Sequence, residues 1–253
     1  MCKLHHLVPF APLFFPLVSA WGGVGHEAVA YVAQDFVADA TKTYIQDILG
    51  TGTSYMAAVA TWADTYRYTD AGGWSAPLHF VDANDSSSTS DDKLSAIKFL
   101  IHFVGDIHQP LHDEALDVGG NTISVTYDGE DTNLHHVWDT PMVESLAGGS
   151  TITTARSYAT TLTSAIQDGT WSATSWTSDM TLTQSTVLKW ATQANAYVCS
   201  DVIPEGVDAV EGQDLSTTYY DDHNHVVKIQ LARAGYRLAA WLNLIVTGST
   251  GGV

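Results

Sequence analysis

The stretch of sequence that decides the fold spans residues 99–113 and reads FLIHFVGDIHQPLHD. It continues a run whose apolar members recur at helical spacing, namely Leu94, Ile97, Ile101 and Val104. His102 and Asp106 lie four positions apart, so the predicted helix presents both side chains on one face. Pro110 cannot continue a helix, and it restricts the residue before it to extended conformations. The chain therefore turns before His112, whose side chain points in a new direction.

A second histidine and aspartate repeat this spacing. His135 and Asp139 lie in the segment NLHHVWD at residues 133–139. Imidazole and carboxylate groups without thiolates are typical of hydrolytic zinc sites, in which open positions hold water. A single His–Asp pair on a helix is more often a hydrogen-bonded pair at the surface. The spacing alone therefore leaves two interpretations open, a metal site or two surface pairs.

Helical periodicity extends over most of the remaining sequence. The last apolar stripe is the plainest and consists of Leu231, Ala234, Leu238, Trp241, Leu242 and Ile245. One region alternates with a period of two instead, because residues 123–127 lead into Asp128-Gly129, a dipeptide typical of hairpin turns. We predict an all-α fold, a single helical domain over residues 21–253 with a minor β-hairpin.

Residues 1–20 have the features of a secretory signal peptide. Lys3 precedes an apolar run over residues 7–18, and Val18-Ser19-Ala20 has the small residues of a signal-peptidase site. A membrane anchor is the alternative, but a span needs about 20 apolar residues and this run is shorter. We therefore predict a secreted protein that begins at Trp21 and has no stable association with a membrane.

The composition is strongly acidic. The 253 residues include 28 acidic and 10 basic side chains, which leaves a formal net charge of −18. Such a balance argues against a broad basic surface that neutralises many phosphates of a nucleic acid. Hydrophobic residues make up 45% of the chain, which is enough for a packed core and excludes a disordered protein.

Together the motifs closely resemble the secreted single-strand-specific nucleases of fungi and plants, a family related in fold to the zinc phospholipases C. The resemblance rests on four motifs, at residues 99–113, 119–121, 133–135 and 137–139. It extends from Trp21 to the AGYRLA segment at residues 234–239. It implies an all-α phospholipase C/nuclease fold with three zinc ions. It also implies a monomeric enzyme that cuts single-stranded DNA and RNA to 5′-phosphate products and acts as a 3′-nucleotidase.

The resemblance assigns a set of ligands to each of the three zinc ions. The first ion has four ligands, Asp64, His79, His102 and Asp106. The second ion has three, His112, His135 and Asp139. The third ion is held by His26, a shared Asp106, and the α-amino nitrogen and carbonyl oxygen of Trp21. Because an amide nitrogen cannot replace an α-amine as a ligand, this third site requires cleavage of the signal peptide before Trp21.

The resemblance also implies catalytic and substrate-binding roles. Asp64 would orient or deprotonate the attacking water, and Arg67 would stabilise charge on the phosphate. By spacing alone, an ordinary exposed ion pair on one helix face is the preferred interpretation of these two residues. Phe80 would stack on a base whose edge hydrogen-bonds to Asp82, although most phenylalanines are simply core residues. Asn133 would contact a phosphate or a base.

The sequence departs from the family pattern in one region. Only 22 residues separate His79 from His102, whereas family members carry a longer segment with cysteines there. Cys199, the single cysteine that follows the predicted signal peptide, would then lack its disulfide partner. The same short segment holds an N-glycosylation sequon at Asn84.

Two other functions compete with the nuclease. A zinc phospholipase C would keep the metal ions and change the substrate, but such enzymes tend to have glutamate in place of Asp139 and lack the Phe80 and Asp82 pair. A secreted protein that binds zinc without catalysis would not need Asp64 and Arg67. The sequence therefore favours the nuclease.

Overall fold

A computed structural model describes residues 21–79 and 93–251, which form ten α-helices and one two-stranded hairpin. The helices are α1 (Gly23–Phe36), α2 (Asp39–Leu49), α3 (Trp62–Tyr66), α4 (Lys93–Asp106), α5 (Asp117–Gly120), α6 (Leu134–Asp139), α7 (Pro141–Ala147), α8 (Ile152–Gln167), α9 (Gln184–Tyr197) and α10 (Thr218–Thr247). The hairpin joins β1 (Ser124–Tyr127) to β2 (Glu130–Asn133). The predicted all-α fold with a minor hairpin is therefore confirmed.

Several sequence predictions fall outside the described residues. They concern the signal peptide at residues 1–20, the base contacts Phe80 and Asp82, and the sequon at Asn84. Within the described ranges, none of the helices has the length and apolar content that crossing a bilayer requires.

The core forms where α1 packs against both α8 and α10. Gly235 on α10 makes this packing close, because a Cβ atom at that position would lie 2.5 Å from the Cβ of Val32 and 2.8 Å from the carbonyl oxygen of Val29. Only glycine allows the two helix backbones to approach this far. The packing holds the first turn of α1 against the interior, where His26 is fully buried.

The turn after α4 has the predicted form. Gln109 is extended, with φ −89° and ψ 116°, as expected for a residue before proline. Its side-chain oxygen accepts a hydrogen bond from the backbone N–H of Leu111 and caps a short 3-10 helix, Pro110–Asp113. This helix carries His112 towards the interior, where it is buried.

The hairpin leads directly into α6. Its turn consists of Asp128 and Gly129, both with positive φ (53° and 79°), as a two-residue hairpin turn requires. Asn133 ends β2 and caps α6, because its side-chain oxygen accepts a hydrogen bond from the backbone N–H of His136 at 2.8 Å. Turn and cap together fix where α6 begins, and α6 carries His135 and Asp139.

Candidate metal centre

Three clusters of histidine and aspartate side chains converge in the interior. Each cluster brings together three ligand-type atoms that lie within 4.8 Å of one another. The first cluster consists of Asp64, His79 and His102. The second consists of His112, His135 and Asp139, and the third of His26, His102 and Asp106. All of these side chains are buried except Asp64, which is half-buried. The structure thus brings together every histidine and aspartate that the resemblance assigns to zinc.

The clusters draw on elements that are distant in sequence. His26 lies in the first turn of α1, Asp64 in α3, and His79 at the end of a 3-10 helix. His102 and Asp106 come from the last turn of α4, where their one-turn spacing places them on the same face. The tertiary packing of four elements is therefore needed to assemble the first and third clusters.

The carboxylate of Asp106 lies at the centre of the first and third clusters. Its oxygens are 3.3 Å from Nε2 of His26, 3.2 Å from Nδ1 of His79 and 3.4 Å from Nε2 of His102. Burial by itself raises the pKa of this carboxyl group, but His102 and the other imidazoles outweigh it, and the pKa is lowered. Asp106 is therefore an anion, available to bind a cation.

Backbone carbonyls orient three of the imidazoles. The Nδ1 atoms of His102, His112 and His135 each donate a hydrogen bond to a carbonyl oxygen. These carbonyls belong to Ala60, His79 and Gly119, at 2.7, 2.9 and 2.7 Å. Because only a protonated nitrogen can donate, Nδ1 carries a proton in each ring, and Nε2 presents a lone pair whenever the ring is neutral, as it must be to bind a metal ion. Such outer hydrogen bonds are typical of metal-binding histidines.

The lone pairs of the second cluster face one another. Nε2 of His135 lies 3.0 Å from Nε2 of His112 and 3.2 Å from Oδ2 of Asp139. Three electron-rich atoms at these distances repel each other unless a cation or an additional proton lies among them. The donor set and the geometry therefore fit a bound metal ion.

The third cluster shows the same need for a cation. Both ring nitrogens of His26 are buried and make no hydrogen bond with the described residues, although Nε2 lies 3.3 Å from Oδ1 of Asp106. Burial and the neighbouring His102 lower the pKa of His26 to about 3, so its ring is neutral and offers a lone pair. Buried polar atoms without partners are costly, and a metal ion would satisfy these.

Trp21 lies beside the third cluster. It is fully buried, and a Cβ atom added at Gly105 would lie 2.8 Å from Nδ1 of His26 and 3.8 Å from the indole of Trp21. The next backbone N–H, that of Gly22, donates to the carbonyl oxygen of Asp139 at 2.6 Å. The start of the predicted mature chain is thus attached to a residue of the second cluster.

The predicted catalytic pair lies at the edge of the first cluster. Oδ1 of Asp64 is 3.5 Å from Nε2 of His102 and 3.8 Å from Nδ1 of His79. Arg67 follows α3 and is buried, and it donates a hydrogen bond at 2.8 Å to the hydroxyl group of the exposed Tyr68. This environment differs from the exposed ion pair that spacing alone allowed.

Two residues of the site were missed by sequence reasoning. Gln109 donates a hydrogen bond at 2.6 Å to Oδ1 of Asp139 and so orients this carboxylate. Gly119 supplies the carbonyl that orients His135. Their positions in the HQP and GG motifs were visible signals, but neither residue type is a metal ligand. The structure assigns Asn133 a helix-capping role, and its predicted contact with substrate stays a prediction.

Gly119 lies in an unusual left-handed turn, α5. The four residues of this turn, Asp117, Val118, Gly119 and Gly120, have φ values of 50°, 57°, 64° and 79°. Left-handed backbone is costly for residues with a Cβ atom and tends to persist at functional sites. A Cβ atom at Gly119 would lie 2.6 Å from the carbonyl oxygen of Leu111 and 3.3 Å from Nδ1 of His135.

The clusters open onto a cleft of about 490 Å³ between α4 and α9. Its lining includes the polar side chains of His79, Asp106, His112 and Asp113 together with apolar ones such as Phe103. A ligand in the cleft would therefore reach residues of the first and second clusters.

Comparison with known proteins shows which proteins this chain is similar to. The family model for S1/P1 nuclease matches residues 21–93 and 84–247. Nuclease S1 of Aspergillus oryzae is 47% identical, over 91% of this chain and 93% of that protein. Nuclease P1 of Penicillium citrinum is 41% identical, over 89% of this chain and 97% of that protein. Endonuclease 3 of Arabidopsis thaliana is 28% identical, over 89% of this chain and 88% of that protein.

The same comparisons bear on the short segment after His79. The alignment with the Aspergillus nuclease spans 268 positions but covers 91% of a 253-residue chain, so the relative carries residues without a counterpart here. The two matched pieces of the family model overlap at residues 84–93, within the segment between His79 and His102. Cys199 is exposed and unpaired among the described residues.

We predict that Gly119→Ala weakens metal binding at the second cluster by about 10- to 100-fold. The added methyl group collides with the carbonyl of Leu111 and displaces the carbonyl that orients His135. Metal competition titration monitors the affinity. Gly129→Ala is the matched control, since it has the same positive φ with open space around it. Equal effects of the two substitutions would contradict a positioning role.

We also predict that metal binding releases protons at pH 7. Burial lowers the pKa of His102, but Asp106 and Asp64 outweigh it and raise the value from 6.5 to about 9. In metal-free protein this ring is therefore protonated at pH 7 and must lose its proton to bind a metal ion. The number of protons released should fall as the pH rises past about 9, because the ring of His102 is then already neutral.

Isothermal titration calorimetry in buffers of different ionisation enthalpy measures this release. A binding enthalpy at pH 7 that does not depend on the buffer would refute the prediction. His136→Gln is a suitable control, since this exposed histidine lies outside the clusters and the variant should release as many protons as the parent protein.

Proposed function

Because the chain belongs to the S1/P1 nuclease family and is therefore a hydrolase, we propose that it cleaves phosphodiester bonds of single-stranded DNA and RNA with three zinc ions. We include in this proposal 5′-phosphate products and 3′-nucleotidase activity. The observation that carries it is the second cluster, where imidazole lone pairs and a carboxylate face one another at 3.0 to 3.2 Å. A metal ion among these groups would satisfy both imidazole lone pairs and the carboxylate together, which supports the proposal.

Zinc is the metal that suits these residues best. The donors are imidazoles and carboxylates without thiolates, which is typical of hydrolytic rather than structural zinc sites. The ligands of the first ion would be Asp64, His79, His102 and Asp106, and those of the second His112, His135 and Asp139. The third would bind His26, Asp106 and the α-amino and carbonyl groups of Trp21. This last assignment requires secretion and cleavage before Trp21, which are part of the proposal.

The protein side chains have separate tasks in the reaction. Zinc ions bound in such clusters lower the pKa of water and polarise a phosphate ester. Asp64 is the one half-buried carboxylate of the clusters, so it can accept a proton from water at the first cluster. Arg67 would donate hydrogen bonds to the phosphate as negative charge develops on it. The amide N–H groups of Asn133 remain available to the substrate, because its oxygen caps α6.

The position of the clusters favours a single strand. Their side chains are buried, so a phosphate must enter the cleft to reach them. A flexible strand can insert one nucleotide, whereas the phosphates of a duplex are held apart from such a recess. The net charge of −18 also disfavours binding along a duplex backbone. We expect a monomer in which Phe80 and Asp82 contact the inserted base.

The decisive experiment compares single-stranded and duplex DNA as substrates of the purified protein. We expect rapid cleavage of the single strand, slow cleavage of the duplex, 5′-phosphate ends, and loss of activity with a chelator that zinc restores. Metal analysis should find three zinc ions per chain. Equal cleavage of the two substrates would refute the strand preference, and full activity with the chelator would refute the metal mechanism.

We predict that Arg67→Gln lowers kcat by about 10²- to 10³-fold, because a donor to the developing charge is lost. The zinc content should not change, since Arg67 belongs to none of the clusters. Arg156→Gln is the matched control, because Arg156 forms an exposed ion pair with Asp35 at 2.9 Å. A parallel loss of zinc in Arg67→Gln would mean that Arg67 supports the metal centre instead.

A further inference from the structure

Helix α10 places two arginines side by side at a second pocket. Arg233 and Arg237 are one turn apart, and both line a pocket of about 420 Å³. The other lining residues that matter here are Trp176, Gln193 and Tyr197. We call this site the arginine pocket. No residue of the three metal clusters lines it.

Neither arginine forms an ion pair with a carboxylate of the described residues. The acidic side chains on neighbouring segments are already engaged, since Asp179 pairs with Lys189 and Asp201 pairs with His225. The chain has 28 acidic and only 10 basic side chains, so a carboxylate partner would be easy to supply. No carboxylate of the described residues therefore forms an ion pair with either of these two adjacent arginines.

Each guanidinium nitrogen of Arg237 donates one hydrogen bond, and none of these bonds goes to a charged acceptor, although the charge of Asp179 lies near enough to raise the pKa of Arg237 slightly. It donates to the carbonyl oxygen of Trp176 at 3.2 Å, to Nε2 of His108 at 2.9 Å and to the amide oxygen of Gln193 at 2.5 Å. All three acceptors are neutral. Burial and the nearby Arg233 lower the pKa of Arg237 to about 9, so it is still charged at neutral pH.

Arg233 is the more accessible of the two. It is half-buried, and it donates from Nη1 to the side-chain oxygen of Gln230 at 2.7 Å. Its guanidinium carbon lies 5.5 Å from the ring centre of Trp176, which limits where its head group can point. A guanidinium group has five N–H donors in a planar fork, so donors remain for a ligand.

We propose that the arginine pocket binds a phosphate group. A phosphate has the negative charge that the two guanidinium groups lack and the oxygen geometry that they recognise. The hydroxyl group of Tyr197 offers a further donor at the pocket. The phosphate could belong to a free ion or mononucleotide, or to the backbone of a bound strand. The second source rests on the proposed nuclease function, whereas the site itself does not.

The arginine pocket is connected to the metal centre through His108, which lies just after α4. Arg237 bonds to the side chain of His108, and the backbone oxygen of His108 accepts a hydrogen bond from Gln230 at 2.7 Å. His108 follows Asp106 by two residues and precedes Gln109, which orients Asp139. A strand that crosses both sites would therefore contact one rigid unit.

Phosphate binding to the zinc-loaded protein tests the proposal. Equilibrium dialysis with labelled inorganic phosphate should show one more bound phosphate in the parent protein than in Arg233→Gln. Phosphate bound at the metal centre is present in the parent protein and in Arg233→Gln alike, so it does not affect the difference in stoichiometry between them. Arg156→Gln removes the same charge at a distant ion pair and should bind as the parent protein does. Equal stoichiometry in the parent and Arg233→Gln would overturn the proposal.

A crystal of the parent protein soaked in phosphate gives a test that needs no variant. Phosphate in contact with Arg233 supports the site, and an empty pocket at a saturating concentration overturns it. Arg233→Lys, which keeps the charge, should retain binding that Arg233→Gln loses. Retention by both variants would also overturn the proposal.

Oligonucleotide length distinguishes the two sources of phosphate. If the backbone of a strand occupies the pocket, Arg233→Gln should raise KM several-fold for a twelve-nucleotide strand and leave KM for a dinucleotide unchanged. If a free phosphate occupies it, neither KM should change although the dialysis difference remains. If the protein cleaves no strand at all, the proposed nuclease function is refuted. The dialysis experiment then still decides whether the arginine pocket binds phosphate.

Discussion

The structure depends on one buried electrostatic constraint, the carboxylate of Asp106 among three imidazoles. Its oxygens lie 3.2 to 3.4 Å from the nitrogens of His26, His79 and His102. A buried anion is costly unless polar partners or a cation surround it. The chain meets this requirement by bringing α1, α4 and the segment that ends at His79 to one point. The close packing of α1 on α10 at Gly235 is part of the same arrangement, because it fixes where His26 lies.

The metal clusters are also linked through backbone hydrogen bonds. The carbonyl oxygen of His79, a residue of the first cluster, accepts from His112 of the second at 2.9 Å. The amide of Gly22, next to Trp21, donates to the carbonyl of Asp139. The clusters are therefore joined through the protein itself as well as through any bound metal. Outer contacts of this kind tune the orientation and the basicity of ligands, and they make the site a single unit.

Charge is distributed unevenly over this acidic protein. Three of its aspartates, Asp64, Asp106 and Asp139, are directed into the clusters, where they would offset the charge of metal ions. Two of its few cations, Arg233 and Arg237, face one pocket without a carboxylate partner in the described chain. A substrate would then meet positive charge at isolated points rather than along a broad surface. This pattern fits the proposed function, in which single nucleotides enter the site and a duplex is only weakly attracted.

Local geometry made part of the structure predictable from sequence alone. The spacing of His102 with Asp106 and of His135 with Asp139 places each pair on one helix face, whatever the rest of the fold does. Pro110 imposed the extended conformation of Gln109, and Asp128-Gly129 selected the hairpin turn, because both act through local dihedral angles. The grouping of ligands across the chain came from family resemblance and not from spacing.

Tertiary structure alone decided which groups complete the site. The carbonyls of Ala60, His79 and Gly119 fix the tautomers of three histidines, and Gln109 orients Asp139. These contacts join residues up to 42 positions apart, and no periodicity or motif encodes the distance between them. They exist only after the helices pack, because a hydrogen bond across elements depends on the relative position of two backbones.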